Sequence, residues 1–446
     1  MQKIEETLKN EALQKLHEVL GPEASLHLVG GAVRDICQGK APKDLDLATS
    51  LHPEDALEKL EDAAIPVIPV GIRRGTIAAL VAGEMIEITT FRNPQKENLF
   101  TKTIQEDLPA RDFTINAMAV SLDTGELVDP FNGRGDLKAG ILRTVGDPNL
   151  RFTEDPHRIF RMVRFGIGAG RKVDEATEKA AKELVHLLKD QAVERLTAEL
   201  CKVLGMSKAS DCLREMERIG ILQIVLPEVI PCVGLEQNHH HQLDVFEHTL
   251  AVVDNVDPNN LKVRLAALFH DIGKPDAARI IDGVRRMLGH EDISEEITKE
   301  AMARLRFSKS MTEDVALLVK LHMKPFLTMK GGGIRRLIKT AGPLLDDWLV
   351  LKKADTLGAR NLEYDFDVEW EKFLQRVDKE LNREDVPKVE DGLAISGKDI
   401  MSLGVPEGPK IGKIIKGLTE LVLDTPELNN VESLTDKAKE LWTEMQ

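Results

Sequence analysis

The chain has 446 residues, with 60 Lys and Arg against 75 Asp and Glu, for a net charge of −15 and a pI near 5.4. That length calls for about two to four domains rather than one core, and 42% hydrophobic with 30% charged residues excludes a disordered chain. The acidic balance argues against diffuse coating of nucleic acid, and 4% aromatics would supply little of a base-stacking platform.

Residues 1–20 read as one charged amphipathic helix with Leu8, Leu13, Leu16 and Leu20 apolar, and without the apolar stretch of a signal peptide. From about 26 to 130 the runs LHLVGG, DLDLAT, IPVIPV, TIAALVAG, MIEITTF and NAMAVSL are strand candidates separated by glycine, proline and polar turns, with one helix, PEDALEKLEDA, among them. From about 150 onward strand signals nearly vanish and amphipathic helical patterns follow to the C-terminus. The expected fold is α+β: an α/β head over 1–140, a helical neck and body over 141–235, a helical module over 236–365 and a helical tail over 366–446. Four separated cysteines without a C-x-x-C pair read as reduced thiols. No apolar run reaches membrane-spanning length, so the expectation is a cytoplasmic protein without a membrane partner.

Gly30-Gly31 follows the first strand candidate, where absent side chains let backbone amides approach a phosphate; alone, the pair reads as readily as a tight turn. Asp44 and Asp46 stand two apart, so a strand would send both carboxylates to one face and Leu45 and Leu47 to the other. Adjacent carboxylates repel unless a cation lies between them, which suits Mg²⁺; a lone D-x-D is as readily a solvated strand edge. Glu87, alternating with Ile86 and Ile88, could complete a metal-binding trio.

GGAVRD, DLD, EITTFR, ARDFTINAMA, DPFNGRGDL and EDPHRIFRMVRF together resemble, in order and spacing, the bacterial class II tRNA nucleotidyltransferases and poly(A) polymerases, of the DNA polymerase β-like superfamily. The resemblance implies a polymerase β-like nucleotidyltransferase head. It places the catalytic metals on Asp44 and Asp46, the triphosphate near Gly30, Gly31 and Arg34, and the nucleotide against Arg111, Asp112 and Asn116. The family usually has two arginines before that aspartate; here the first position is Ala110, so one basic contact is missing or supplied elsewhere.

EDPHRIFRMVRF reads as a helix with Arg158, Arg161 and Arg164 forming a basic stripe. The bland reading pairs Glu154 and Asp155 with Arg158 across one helical turn. The sharper reading follows base-edge chemistry, since cytosine and adenine both present an amino donor beside an unprotonated ring nitrogen. Asp155 can accept from the first and Arg158 donate to the second, whereas uracil and guanine show the reverse order. The resemblance assigns the E-D-x-x-R motif this templating role, which selects CTP and ATP.

A second set appears between 240 and 360: His248 in FEHTL, His270-Asp271 in ALFHDIGKP and Asp355 in LKKADTLGAR. Mixed imidazole and carboxylate ligands suit a divalent transition metal or Mg²⁺. The order resembles the HD phosphohydrolases, with His290 and His322 as additional ligands for a second metal and His239-His240-His241 as a loop. Hydrolysis of terminal or 2′,3′-cyclic phosphates is implied.

The expected activity is addition of CCA to tRNA 3′ ends from CTP and ATP. The alternatives are a CC-adding enzyme, because the segment 93–105 is shorter than the flexible loop of CCA-adding relatives, and a poly(A) polymerase. Two stretches run against the acidic background: residues 134–172 hold nine basic and four acidic residues, and 303–340 hold nine and two. Lys330, Arg335 and Arg336 in the latter are expected RNA contacts on a confined phosphate path.

Overall fold

The computed structural model describes residues 2–93, 99–237, 243–281, 284–359, 364–383 and 392–445, apart from the Arg74 side chain. The histidine run at 239–241 and parts of the 93–105 and 383–392 segments lie outside the described residues. The chain forms two compact units, Met1–Pro227 and Glu228–Gln446.

The first unit begins with two helices rather than one, Gln2–Leu8 and Glu11–Leu20. Asn10 interrupts them because its side chain accepts the Leu13 amide at 3.1 Å, an N-cap that competes with helix continuation. Leu13, Leu16 and Leu20 are buried in the same core as Ile77, Ala79, Ile86 and Ile88. The sheet has seven strands: β1 (His27–Val29), β2 (Asp46–Thr49), β3 (Val67–Gly71), β4 (Thr76–Val81), β5 (Glu84–Thr90), β6 (Ala119–Ser121) and β7 (Leu127–Val128), in the order β3-β4-β5-β2-β1-β6-β7. All six strands read from the sequence are present, and only the two-residue β7 went unread.

The β2–β5 pair is parallel within an otherwise antiparallel sheet, with Asp46 opposite Glu87 and Leu47 opposite Ile88. Alternation sends Leu47 and Ile88 into the core and leaves the two carboxylates on the other face. Asp44 does not share the strand as expected; it is exposed in the turn before it.

The helical part of this unit includes Pro148–Glu154, His157–Phe165, Glu175–Leu184, Val193–Leu204 and Ala209–Ile219. The expected single helix through EDPHRIFRMVRF is broken. Asp155 is extended (φ −144°, ψ 91°) because the following Pro156 disfavours the helical conformation at the residue before it. Two short strands, Ile141–Leu142 and Lys172–Val173, pair in this region.

The second unit holds the helices Val245–Asp254, Leu261–Phe269, His290–Arg304, Lys309–Leu321, Gly331–Ala341, Leu345–Gly358 and Phe366–Leu381, and one hairpin, Arg279–Ile281 with Val284–Arg286. The scarce aromatics concentrate here. Phe326 packs against Phe366, Trp370 and Phe373 at centroid distances of 5.3–6.1 Å, and Trp348 is fully buried with its indole N–H donating to the Leu321 carbonyl. The tail helices Gly397–Ser402, Pro409–Asp424 and Val431–Glu444 share a core of Ile400, Ile414, Leu418, Val422 and Leu434. Pro409 starts the second of these helices at a position where its missing N–H costs no helical hydrogen bond.

Two expected RNA contacts are engaged in ion pairs within the fold. Arg335 pairs with Glu380 at 2.6 Å and donates to the Leu423 and Asp424 carbonyls, and Arg336 pairs with Glu420 and Asp424. The Arg335–Glu380 pair is largely buried, at 13% and 10% side-chain exposure, so removing one partner strands the other charge. Arg335→Ala is expected to cost about 3 kcal/mol in urea unfolding of the chain while leaving the salt dependence of any RNA binding unchanged. A shallower salt slope without loss of stability would restore the RNA role.

Candidate functional site

Thirteen residues expected at a nucleotide site line one cavity of about 640 Å³ in the first unit: Gly30, Gly31, Arg34, Asp44, Asp46, Glu87, Arg111, Asp112, Asn116, Asp155, Arg158, Arg161 and Arg164. That volume falls in the range of small-ligand sites, about 300–1,000 Å³. The sheet supplies one wall through the Asp46–Glu87 register. Gly30 ends the approach from β1 at φ +65°, a left-handed conformation, where an added Cβ would stand 3.5 Å from the Arg111 guanidinium and 3.9 Å from Asp46 Oδ2. Both distances are ordinary van der Waals contacts, so it is the left-handed backbone rather than lack of space that favours glycine at position 30.

Burial, with Glu87 and then Asp44 nearby, pushes the Asp46 carboxyl above the usual carboxylate range, while Arg111 opposes the shift. Arg111 is itself held by a bidentate bond from its Nε and Nη2 to Asp107 Oδ2, at 3.0 and 2.9 Å. Asp107 was not anticipated, although it lies one helical turn before Arg111.

Across the cavity the arginines belong to a buried network. Arg34 Nη1 donates to Asn116 Oδ1 at 2.9 Å, Asn116 donates to Asp112 Oδ1 at 3.0 Å, and Arg161 grips Asp112 Oδ2 at 2.7 and 2.8 Å. Burial opposes the Asp112 charge, but Arg161 and the Asn116 bond hold its carboxyl below the ordinary range. Arg164 pairs with the buried Glu199 of helix Val193–Leu204. The guanidiniums of Arg34, Arg161 and Arg164 all lie over the Phe165 ring, at 5.2, 5.0 and 4.1 Å from its centroid. Glu199 went unread because its partner Arg164 is distant in sequence, and Phe165, although inside the quoted motif, was not read as a platform for its arginines.

Asp155 and Arg158 both reach the cavity but do not pair with each other as the bland reading had it. Arg158 bonds Glu154 at 3.4 Å and donates to the carbonyls of Arg151 and Ala110. Asp155 accepts from Arg195 Nη2 at 3.3 Å. The Ala110 position, where the family usually has arginine, thus contributes its carbonyl to fixing Arg158.

The second unit gathers His248, His270, Asp271, His290, His322 and Asp355 in one buried cluster. Two ligand groups within 4.8 Å emerge, His248–His270–Asp271 and Asp271–His290–His322. Asp271 Oδ2 is 3.1 Å from His270 Nε2 and 3.6 Å from His248 Nε2; Oδ1 is 3.2 and 3.5 Å from His290 and His322 Nε2. Asp355 Oδ1 joins the first group, 3.2 Å from His248 Nε2.

The tautomers follow from the backbone. His270, His290 and His322 each place Nδ1 against a carbonyl, of Ala267, Met287 and Val319, which can only accept. In the neutral rings Nε2 therefore carries the lone pair, and those of His290 and His322 face each other at 3.2 Å. Two facing acceptors repel unless a cation lies between them, so the donor set fits divalent metal. Lys274 Nζ lies 2.6 Å from Asp271 Oδ2 and Lys352 Nζ 3.3 Å from Asp355 Oδ2. Against the cost of burial, His270 and Lys274 hold the Asp271 carboxyl well below its ordinary range.

Residues 26–143 match the poly A polymerase head domain, 170–232 the probable RNA and SrmB-binding site of polymerase A, and 238–360 the HD domain. The chain is 35% identical over 409 residues to the CC-adding tRNA nucleotidyltransferase of Thermus thermophilus, covering 88% of each chain. It is 33% identical over 414 residues to the A-adding tRNA nucleotidyltransferase of Deinococcus radiodurans, covering 88% of this chain and 90% of that one. In fold it is similar to the Bacillus stearothermophilus CCA-adding enzyme solved with CTP, at a TM-score of 0.72 and 24% identity over the full length of both.

Because the Asp112 carboxyl ionises more readily folded than unfolded, its contribution to stability is fully present above its unfolded pKa of about 3.9 and is lost as pH falls through the lower folded value. Urea unfolding between pH 3 and 6 is expected to show this acid-side loss, and Asp112→Asn to flatten it while lowering stability at pH 6.

Proposed function

The chain belongs to the tRNA nucleotidyltransferases, and we propose that its reaction is addition of the two C residues of the CCA end, stopping at CC. The observation that carries this is the segment after β5. Phe91 and Thr101, and Asn93 and Leu99, are joined by backbone hydrogen bonds of 2.8 Å, with Arg92 bridged to Phe100. Only residues 94–98 lie beyond these ties, and a short segment here is what the resemblance links to CC addition. The CC-adding relative, similar over most of both chains, supports the same reading. Complete CCA addition, first in the sequence reading, is favoured by the Asp155/Arg158 pair, whose acceptor and donor order admits both CTP and ATP.

Asp44, Asp46 and Glu87 supply the oxygen ligands that suit Mg²⁺, which when bound would acidify the RNA 3′ hydroxyl and neutralise triphosphate charge. The remaining work falls to this chain's own groups. Arg34, Arg161 and Arg164 present guanidiniums to the triphosphate from positions set by Asn116, Asp112, Glu199 and the Phe165 ring. Gly30 and Gly31 let it approach the backbone. Arg158 is held by two carbonyls and Glu154, so its position at the base edge does not depend on the nucleotide. Of the three expected RNA contacts in the second unit, Lys330 remains, exposed at the start of helix Gly331–Ala341. The setting is the cytoplasm, where the four free cysteines stay reduced.

Incubating tRNA that lacks CCA with CTP, with ATP and with both decides the product. Growth by two residues that stops despite ATP is the expected result. Growth by three makes CCA addition correct, and no growth of this tRNA by CTP together with extension of CC-ended tRNA by ATP makes it an A-adding enzyme. Asp46→Asn should reduce incorporation at least a hundredfold.

The facing imidazoles support a second activity, hydrolysis of terminal or 2′,3′-cyclic phosphates at the HD cluster. His248, His270, Asp271 and Asp355 would hold one divalent ion, and His290 and His322 with Asp271 a second, supplying a water activated near neutral pH. With Mn²⁺ or Ni²⁺ added, wild-type protein should release phosphate from 3′-phosphorylated RNA, and His270→Ala and Asp271→Ala should not. Release surviving both substitutions would sink this reading.

A further inference from the structure

We propose that the hairpin Arg279–Ile281/Val284–Arg286 is a phosphate clamp that directs the HD cluster to the 3′ end of an RNA strand rather than to a free mononucleotide. The proposal builds on the phosphohydrolase reading above by naming its substrate class. It begins from the register of the hairpin. Arg279 stands directly opposite Arg286, and Ile280 opposite Arg285. Residues directly opposite in an antiparallel pair have Cβ atoms about 4.5–5.5 Å apart, and like charges there are destabilising.

Nothing described offsets that cost. All three arginines are exposed, and among the described residues none forms an ion pair with a carboxylate. Two of them donate to backbone carbonyls instead: Arg279 Nη1 to Asp276 and Ala278 at 2.9 and 2.8 Å, and Arg285 Nη1 to Glu236 at 2.8 Å. Such bonds orient a guanidinium and leave its charge in place. On a chain of net charge −15, neighbouring cations without a carboxylate partner among the described residues are a local exception that a polyanion would stabilise.

The position of this rung selects the anion. Arg279 follows Lys274 by five residues, and Lys274 Nζ lies 2.6 Å from Asp271 Oδ2. Arg286 precedes His290 by four residues, and His290 Nε2 lies 3.2 Å from Asp271 Oδ1. The doubly basic rung is thus the base of the hairpin, its two strands leading from the two poles of the cluster, and Arg286 is within about 14 Å of His290 along the chain. A terminal phosphate at the cluster would present the next phosphodiester of the strand to Arg279 and Arg286. A mononucleotide has no second phosphate to offer.

The test uses the full-length protein with Mn²⁺ and a fluorescent single-stranded oligoribonucleotide bearing a 3′-phosphate, with a 2′,3′-cyclic mononucleotide as the small substrate. The double substitution Arg279→Ala, Arg286→Ala is expected to weaken oligonucleotide binding, read by anisotropy, about tenfold. It should also make the salt dependence shallower by about one contact's worth, and leave mononucleotide hydrolysis unchanged. Arg279→Lys, Arg286→Lys should retain most of the affinity. Oligonucleotide binding equal to wild type, or equal loss toward both substrates, overturns the clamp. If the wild type hydrolyses neither substrate, the phosphohydrolase reading fails, and the anisotropy result alone decides the clamp.

Discussion

A carboxylate as deeply enclosed as Asp112 keeps its charge through the Arg161 guanidinium, the Asn116 amide and the Phe113 backbone N–H, and the cavity of the head is organised around that requirement. Satisfying Asp112 fixes Arg161 on helix His157–Phe165. It also fixes Asn116, which in turn holds Arg34 on the helix after β1. One buried negative charge thereby ties the sheet to the arginine-bearing helix. The positive groups left facing the cavity are held in place by the protein itself, so an anion bound there would not have to order them.

The two sites resolve crowded charge differently. In the head, Asp44, Asp46 and Glu87 line a wall of an open cavity with Arg111 nearby, and Asp44 and Glu87 remain exposed. In the second unit four imidazoles and two carboxylates are nearly sealed from solvent, and Lys274 and Lys352 supply positive charge at its edge. An open wall suits a site that must admit both a nucleotide and the end of an RNA. A sealed cluster suits ligands held permanently in one geometry, with access governed by what surrounds its mouth.

Much of this was legible in the sequence because it was written at short range. Period-two alternation located six strands of the head, and the motifs named thirteen residues that one cavity brings together. What escaped was set by partners far along the chain or by single residues acting against a pattern. Asn10 and Pro156 each broke a helix that periodicity alone would continue. Glu199, 35 positions from Arg164, carries no local mark of its role. The basic stretch at 303–340 looked like an RNA path because its counter-charges, Glu380, Glu420 and Asp424, lie outside the window in which charge was counted.

Arg335 has a further consequence, for the order in which the protein comes off the ribosome. Its partners appear in sequence: Glu380 is 45 residues downstream, and the Leu423 and Asp424 carbonyls 88 and 89. Emerging helix Gly331–Ala341 carries a cation that cannot be buried until Glu380 has followed, and cannot be locked until the helix Pro409–Asp424 is complete. Native closure of this unit is therefore a late, non-local event. Until then the nascent chain holds an exposed guanidinium where the finished protein has a sealed joint.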